Sequence, residues 1–131
     1  MSRVVVRRKP NDAERRRAQL QQARINAPKL GEFMPGVREV SVDLAFDGQS
    51  RLSQTHSRFT TYPPAQAHFV YACPLGDCDG VYDLNSIVFS MLAARSEHRT
   101  GVLQCAGHRV GQQRPGSPCG LAATYAVVIG Y

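Results

Sequence analysis

The chain has 131 residues, 43% of them hydrophobic and 20% charged, with four Cys, five Tyr, five Phe and no Trp. That length predicts one domain, or one domain plus an appendage, and the composition excludes a disordered or fibrous chain. The longest nearly apolar run, Leu121–Gly130, has ten residues, about half of the roughly 20 needed to span a bilayer, so no membrane partner is expected.

The charge is unevenly placed. Residues 1–30 hold nine cations against two anions, a net +7, whereas residues 31–131 hold seven cations and eight anions, a net −1. The sequence therefore divides into a basic arm and linker over residues 1–35 and a nearly neutral globular body over residues 36–131. Fourteen of the sixteen cations are Arg, whose planar fork suits bidentate phosphate contacts. The opening MSRVVVRRKP lacks the apolar stretch of a signal peptide, so a cytoplasmic location with reduced thiols is expected.

The first predicted element is a helix in the arm. Asn11 and Glu14 form a capping-box pattern, Ala and Gln residues follow, and Pro28 ends it. Its apolar face is thin, with Leu20 and Ile25 the large members, so it needs a docking surface to be ordered. Lys29–Gly36, with Gly31, Pro35 and Gly36, reads as a linker. Val40–Phe46 alternates apolar and polar residues as a half-buried strand, and Asp47-Gly48 is a turn signal. Ser57–Tyr62, stopped by Pro63-Pro64, reads as an edge strand, and Ala67–Cys73 as a third strand. A buried helix is predicted over Ser86–Arg95, with Asp83 or Asn85 as caps and His98 and Arg99 beyond its end. Val102–Cys105 and Leu121–Tyr131 complete the strands. The last is apolar on both faces and is expected in the middle of the sheet. The fold class is α+β, a mostly antiparallel sheet with one buried helix.

The cysteines stand at 73, 78, 105 and 119, with four, twenty-six and thirteen residues between them. Each pair falls where one predicted strand ends and the next begins, so two hairpin tips each present two thiols. Gly76, Gly80, Gly107 and Gly120 stand where a tight turn needs freedom of φ. Four thiolates at two tips suit a tetrahedral Zn²⁺. The competing readings are buried thiols without a metal, two disulfides, and an iron–sulfur cluster; the absence of a secretory signal opposes the second and the spacings oppose the third.

This arrangement resembles a zinc ribbon over residues 67–131. The resemblance implies that Cys73, Cys78, Cys105 and Cys119 hold one structural Zn²⁺. The spacing of the first pair matches the ribbon. The thirteen residues within the second pair and the helix between the two knuckles depart from it. His108, in Cys105-Ala-Gly-His108, offers a Cys₃His alternative that leaves Cys119 spare.

Four thiolates leave no open coordination position for a catalytic water, and no nucleophile elbow, His-Glu-x-x-His or phosphate-binding glycine loop is present. The expectation is thus a non-enzymatic protein without a small-molecule substrate. His56, His68 and His98 read as isolated surface or packed residues, and Asp77, Asp79 and Asp83 as turn and capping residues. Two partners remain open. Nucleic acid would be met by Arg3, Arg7, Arg8, Arg15, Arg16 and Arg17 of the arm, with Arg109, Gln112, Gln113 and Arg114 adding contacts. Tyr62, Phe69 and Tyr71 are candidates for base stacking, although their strand positions favour core packing. A protein partner, bound by the sheet or the 106–118 loop, is the alternative.

Overall fold

A computed structural model describes residues 12–46, 56–108 and 119–131. The expected Asn11 cap, the Asp47-Gly48 turn and residues Arg109 to Arg114 lie outside the described residues.

The chain begins with α1 (Asp12–Asn26), which ends two residues before Pro28. Its apolar face is as thin as expected: Ala13 is fully buried, but Ile25 is 57% exposed. What docks it is polar. Arg17 donates to the carbonyls of Gly76 and Leu75, both at 3.2 Å, and Arg24 donates to the Val70 carbonyl at 2.9 Å.

The expected linker contains a short helix, α2 (Leu30–Phe33). Leu30 has no exposed surface, and its backbone N–H donates to Ala65 O at 2.8 Å. The buried leucine, that bond, and a second from Gly31 N–H to Pro63 O at 3.0 Å fix a segment whose glycines and prolines suggest irregular chain. Gly36, at φ 95°, then turns the chain toward the sheet, a conformation that costs glycine little.

Strands β1 (Glu39–Phe46), β2 (His56–Thr61), β5 (His98–Gln104) and β6 (Ala122–Gly130) form an antiparallel sheet in the order β2-β1-β6-β5. As expected, β2 is an edge strand and β6 is central, pairing with both β1 and β5. Val40, Val42, Leu44, Ala123, Val127 and Ile129 bury one face of it. The other face departs from the expectation for β6. Val128 is 47% exposed there, because no element covers that side among the described residues.

β5 begins four residues earlier than Val102. His98, Arg99, Thr100 and Gly101 are a weak strand pattern, yet they pair with Val128 to Tyr125. Gly101 is required there, since a Cβ would overlap the Tyr125 ring.

The second sheet is a small hairpin of β3 (Val70–Ala72) and β4 (Val81–Asp83). The expected strand began at Ala67, but its first residues are held otherwise. Ala67 N–H donates to Pro28 O, and Phe69 N–H to Asn85 Oδ1 at 2.7 Å. After β4 comes α3 (Asn85–Ala94), burying Val88, Met91 and Leu92. Asp83 Oδ1 accepts the Asn85 N–H at 2.9 Å, and Arg95, at φ 51°, ends the helix with Ser96 N–H bonded to Met91 O. Phe69, Tyr71, Tyr82, Leu84 and Leu30 join α3 and the covered sheet face in one core. Among the described residues no helix is long and apolar enough to cross a membrane.

Candidate metal centre

Two tips converge at one end of the molecule. The first, between β3 and β4, carries Cys73 and Cys78. The second carries Cys105, just past β5, and Cys119, which leads through Gly120 and Leu121 into β6. The local backbone follows from short bonds across each tip. Cys73 N–H donates to Gly80 O and Cys78 N–H to Leu75 O, each at 3.1 Å. In the second tip Cys119 N–H donates to Gly107 O at 2.8 Å and Gly120 N–H to Cys105 O at 3.2 Å. Gly120, at φ 64°, takes the turn into the last strand.

The four sulfurs all lie within 4.8 Å of one another, and the thiols are free. Cys73 and Cys119 approach to 3.8 Å and Cys78 and Cys105 to 3.5 Å. An ion bound tetrahedrally by four sulfurs at about 2.3 Å holds them about 3.8 Å apart. The cluster therefore fits a metal ion with little movement. Cys73, Cys78 and Cys105 are buried and Cys119 is half-buried, so among the described residues Cys119 is the least covered of the four.

Backbone N–H groups already point at the sulfurs. Gly80 N–H donates to Cys78 Sγ at 3.3 Å, and the backbone of Leu75 and of Gly107 serves Cys73 and Cys105 in the same way. In each case the donor is two residues beyond the cysteine. Such bonds stabilise thiolate charge, and Leu75 makes one as well as the glycines do. The expected freedom of φ is used at Gly120 and not at Gly76, Gly80 or Gly107. Gly80 and Gly107 have a further role, because the two tips touch there. A Cβ at Gly107 would overlap the Gly80 backbone, and one at Gly80 would strike Cys105 Sγ. Only paired glycines let the sulfurs meet.

Proton sharing within the cluster is uneven. Hydrogen bonding from the Cys73 thiol holds Cys105 down to about 5, and the same pairing pushes Cys73 up. Burial pushes Cys78 up to about 12. Tyr82, 1% exposed, packs beside the thiols with its hydroxyl donating to Leu121 O at 2.7 Å, and burial raises its pKa.

His108 stands apart from this group. Its backbone N–H donates to Asp79 Oδ1 at 2.6 Å and its carbonyl accepts from Asp79 N–H at 3.1 Å. These bonds zip the two tips together, and the residue itself is exposed. Asp79 thus ties one tip to the other, a role that its sequence position as a turn residue does not disclose.

The arm cations separate into two kinds. Arg15 and Arg16 are exposed on α1, where with Gln19, Asp79 and His108 they line a groove of about 400 Å³ beside the tips. Arg17 and Arg24 face the body through the bonds already described. Arg3, Arg7 and Arg8 lie outside the described residues. Of the candidate stacking aromatics, Tyr62 is 56% exposed, whereas Phe69 and Tyr71 are buried in the core. The four cysteines are positioned to hold a metal ion. Compared with known proteins, the chain matches no protein-family model, and no curated protein or solved structure shows significant similarity to it.

Proposed function

We propose that the chain is a non-enzymatic zinc-binding protein, in which Cys73, Cys78, Cys105 and Cys119 hold one structural Zn²⁺ in a ribbon-like pair of knuckles. The observation that carries this reading is the convergence of four sulfurs within 4.8 Å at two hairpin tips. An all-thiolate set favours zinc over harder ions, and four protein ligands leave no position for a reacting water. Metal analysis of the purified protein should give one zinc per chain, and Cys105→Ser should abolish it. A stoichiometry unaffected by that change would end the proposal.

Through its cations the protein associates with nucleic acid by phosphate contacts. The grouping of Arg15, Arg16 and His108 along one groove supports this. If Arg3, Arg7, Arg8, Arg15 and Arg16 each meet a duplex phosphate, log K should fall with log salt at a slope of about −4.5. Because Leu30 is fully buried, the test substitutes side chains and leaves α1 in place. Arg15→Gln with Arg16→Gln should flatten the slope by about 1.8. Binding to DNA and RNA that shows no salt dependence favours the second reading, a protein-interaction module with structural zinc. The uncovered sheet face, where Val102 is 62% exposed and Val128 47%, supports that alternative.

A further inference from the structure

A second concave region lies away from the thiols, between α1, the β2 edge and the segment leading into β3. Its cavity, about 380 Å³, is bounded by Arg24, Phe59, Thr60, Gln66, His68 and Tyr71. That volume is in the range of small-molecule sites. Phe59 stacks on Tyr71 with centroids 4.1 Å apart and planes 15° from parallel, which gives the cavity a flat apolar wall. The Arg24 guanidinium carbon stands 5.9 Å from the Tyr71 ring centre. One of its N–H groups is spent on Val70 O. Arg58, which also lines the cavity, is paired with Asp43 at 2.7 Å. No carboxylate is among the lining residues described.

Two residues of this wall, His68 and Tyr71, each carry a buried polar atom without a partner. Among the described residues, the buried side-chain atoms without a hydrogen-bond partner are His68 Nδ1 and Tyr71 Oη. Tyr71 is only 6% exposed. Each such atom carries the desolvation penalty of an unmade hydrogen bond, and finding both on one cavity beside an arginine singles out this place. Burial, and then the charge of Arg24, hold His68 below its usual pKa, so the imidazole is neutral and retains one N–H.

We propose that this cavity binds a small organic oxyanion, a carboxylate or phosphomonoester on a flat apolar body. On binding, small side-chain shifts uncover Tyr71 Oη and the Nδ1–H tautomer of His68, which donate to the oxyanion; Arg24 supplies the opposing charge, and the Phe59–Tyr71 stack receives the apolar body. The reading stands apart from the metal centre and from nucleic-acid association, and its test uses the metal-loaded full chain.

Proton NMR titrations with benzoate, phenyl phosphate and neutral benzamide provide that test. At least one of the two anions should shift the His68 ring resonances saturably and raise the His68 pKa, while benzamide does neither. Tighter benzoate binding identifies a carboxylate ligand; tighter phenyl phosphate binding identifies a phosphomonoester. Tyr71→Phe keeps the stacked ring and should weaken anion binding about tenfold or more without lowering the melting temperature. Arg24→Gln should weaken it independently. The proposal is overturned if neither anion gives a saturable shift at His68, if benzamide binds as well as benzoate, or if Tyr71→Phe binds the anions as tightly as the natural chain.

Discussion

The two sheets of this molecule are held in different ways. The larger has strands of six to nine residues, and its buried face of Val40, Val42, Leu44, Val127 and Ile129 supplies its own cohesion. The smaller is a hairpin of three-residue strands, which in isolation is marginal at best. It is fastened at its tip by the thiol cluster, along its side by arginines of α1, and from below by Tyr71 and Tyr82 in the core. Apolar burial suffices where strands are long. Where they are short, point fasteners replace it.

Metal removal should break the comparison most strongly. Structural zinc in small domains contributes roughly 10–16 kcal/mol of apparent binding, comparable to a whole domain's stability of roughly 5–15 kcal/mol. Chelation should erase amide-exchange protection over residues 70–83 first and leave the β1–β6 ladder protected longest. Simultaneous loss in both sheets would show that they form one cooperative unit. A core deletion acts on the other side. Leu44→Ala, at a position with no exposure, should cost about 2–5 kcal/mol by denaturant unfolding, with metal stoichiometry unchanged.

A third expectation concerns pH. Cys78 is pushed up to about 12 and Cys73 is also raised, so both thiols are protonated at neutral pH without metal. Binding expels those protons, and metal affinity should rise with pH by at least about two log units per unit between pH 6 and 8. Below about 5, where Cys105 also takes up its proton, the loss should steepen. Competitive titration with a coloured chelator measures this, and a flat profile would exclude the thiols as ligands. Gly107→Ala should weaken metal binding several-fold, because a Cβ meets the Gly80 backbone; its far-UV spectrum should keep the strand signal of the larger sheet. The smallest effect is expected for Arg17→Met, about 1 kcal/mol from the loss of two half-exposed hydrogen bonds, read as a lower melting temperature.

The same contrast explains what was legible in the sequence. Alternating runs such as Val40–Phe46 announce a face to be buried, so the larger sheet and its central last strand could be read directly. The cysteine pairs were legible because two clusters at strand ends have few other uses. Less visible was everything fixed by distant partners. Leu30 is buried and bonded, with Gly31, to the segment 63–65, and His98 to Gly101 form a strand because β6 offers an edge rather than because they favour one. The expected linker and the late start of β5 both fail for that reason. The cavity between Arg24, Phe59, His68 and Tyr71 was equally hidden, since three separate parts of the chain meet there only through the packing of α1 and β2.

One contact joins the arm to this account. Arg17 ends on the carbonyls of Leu75 and Gly76, which lie between the first two cysteines. Those carbonyls hold their positions only while the turn around them keeps its shape. The helix is consequently moored to the loop between the first two cysteines, and Arg15 and Arg16 are carried with it to the groove that Asp79, Gly107 and His108 line.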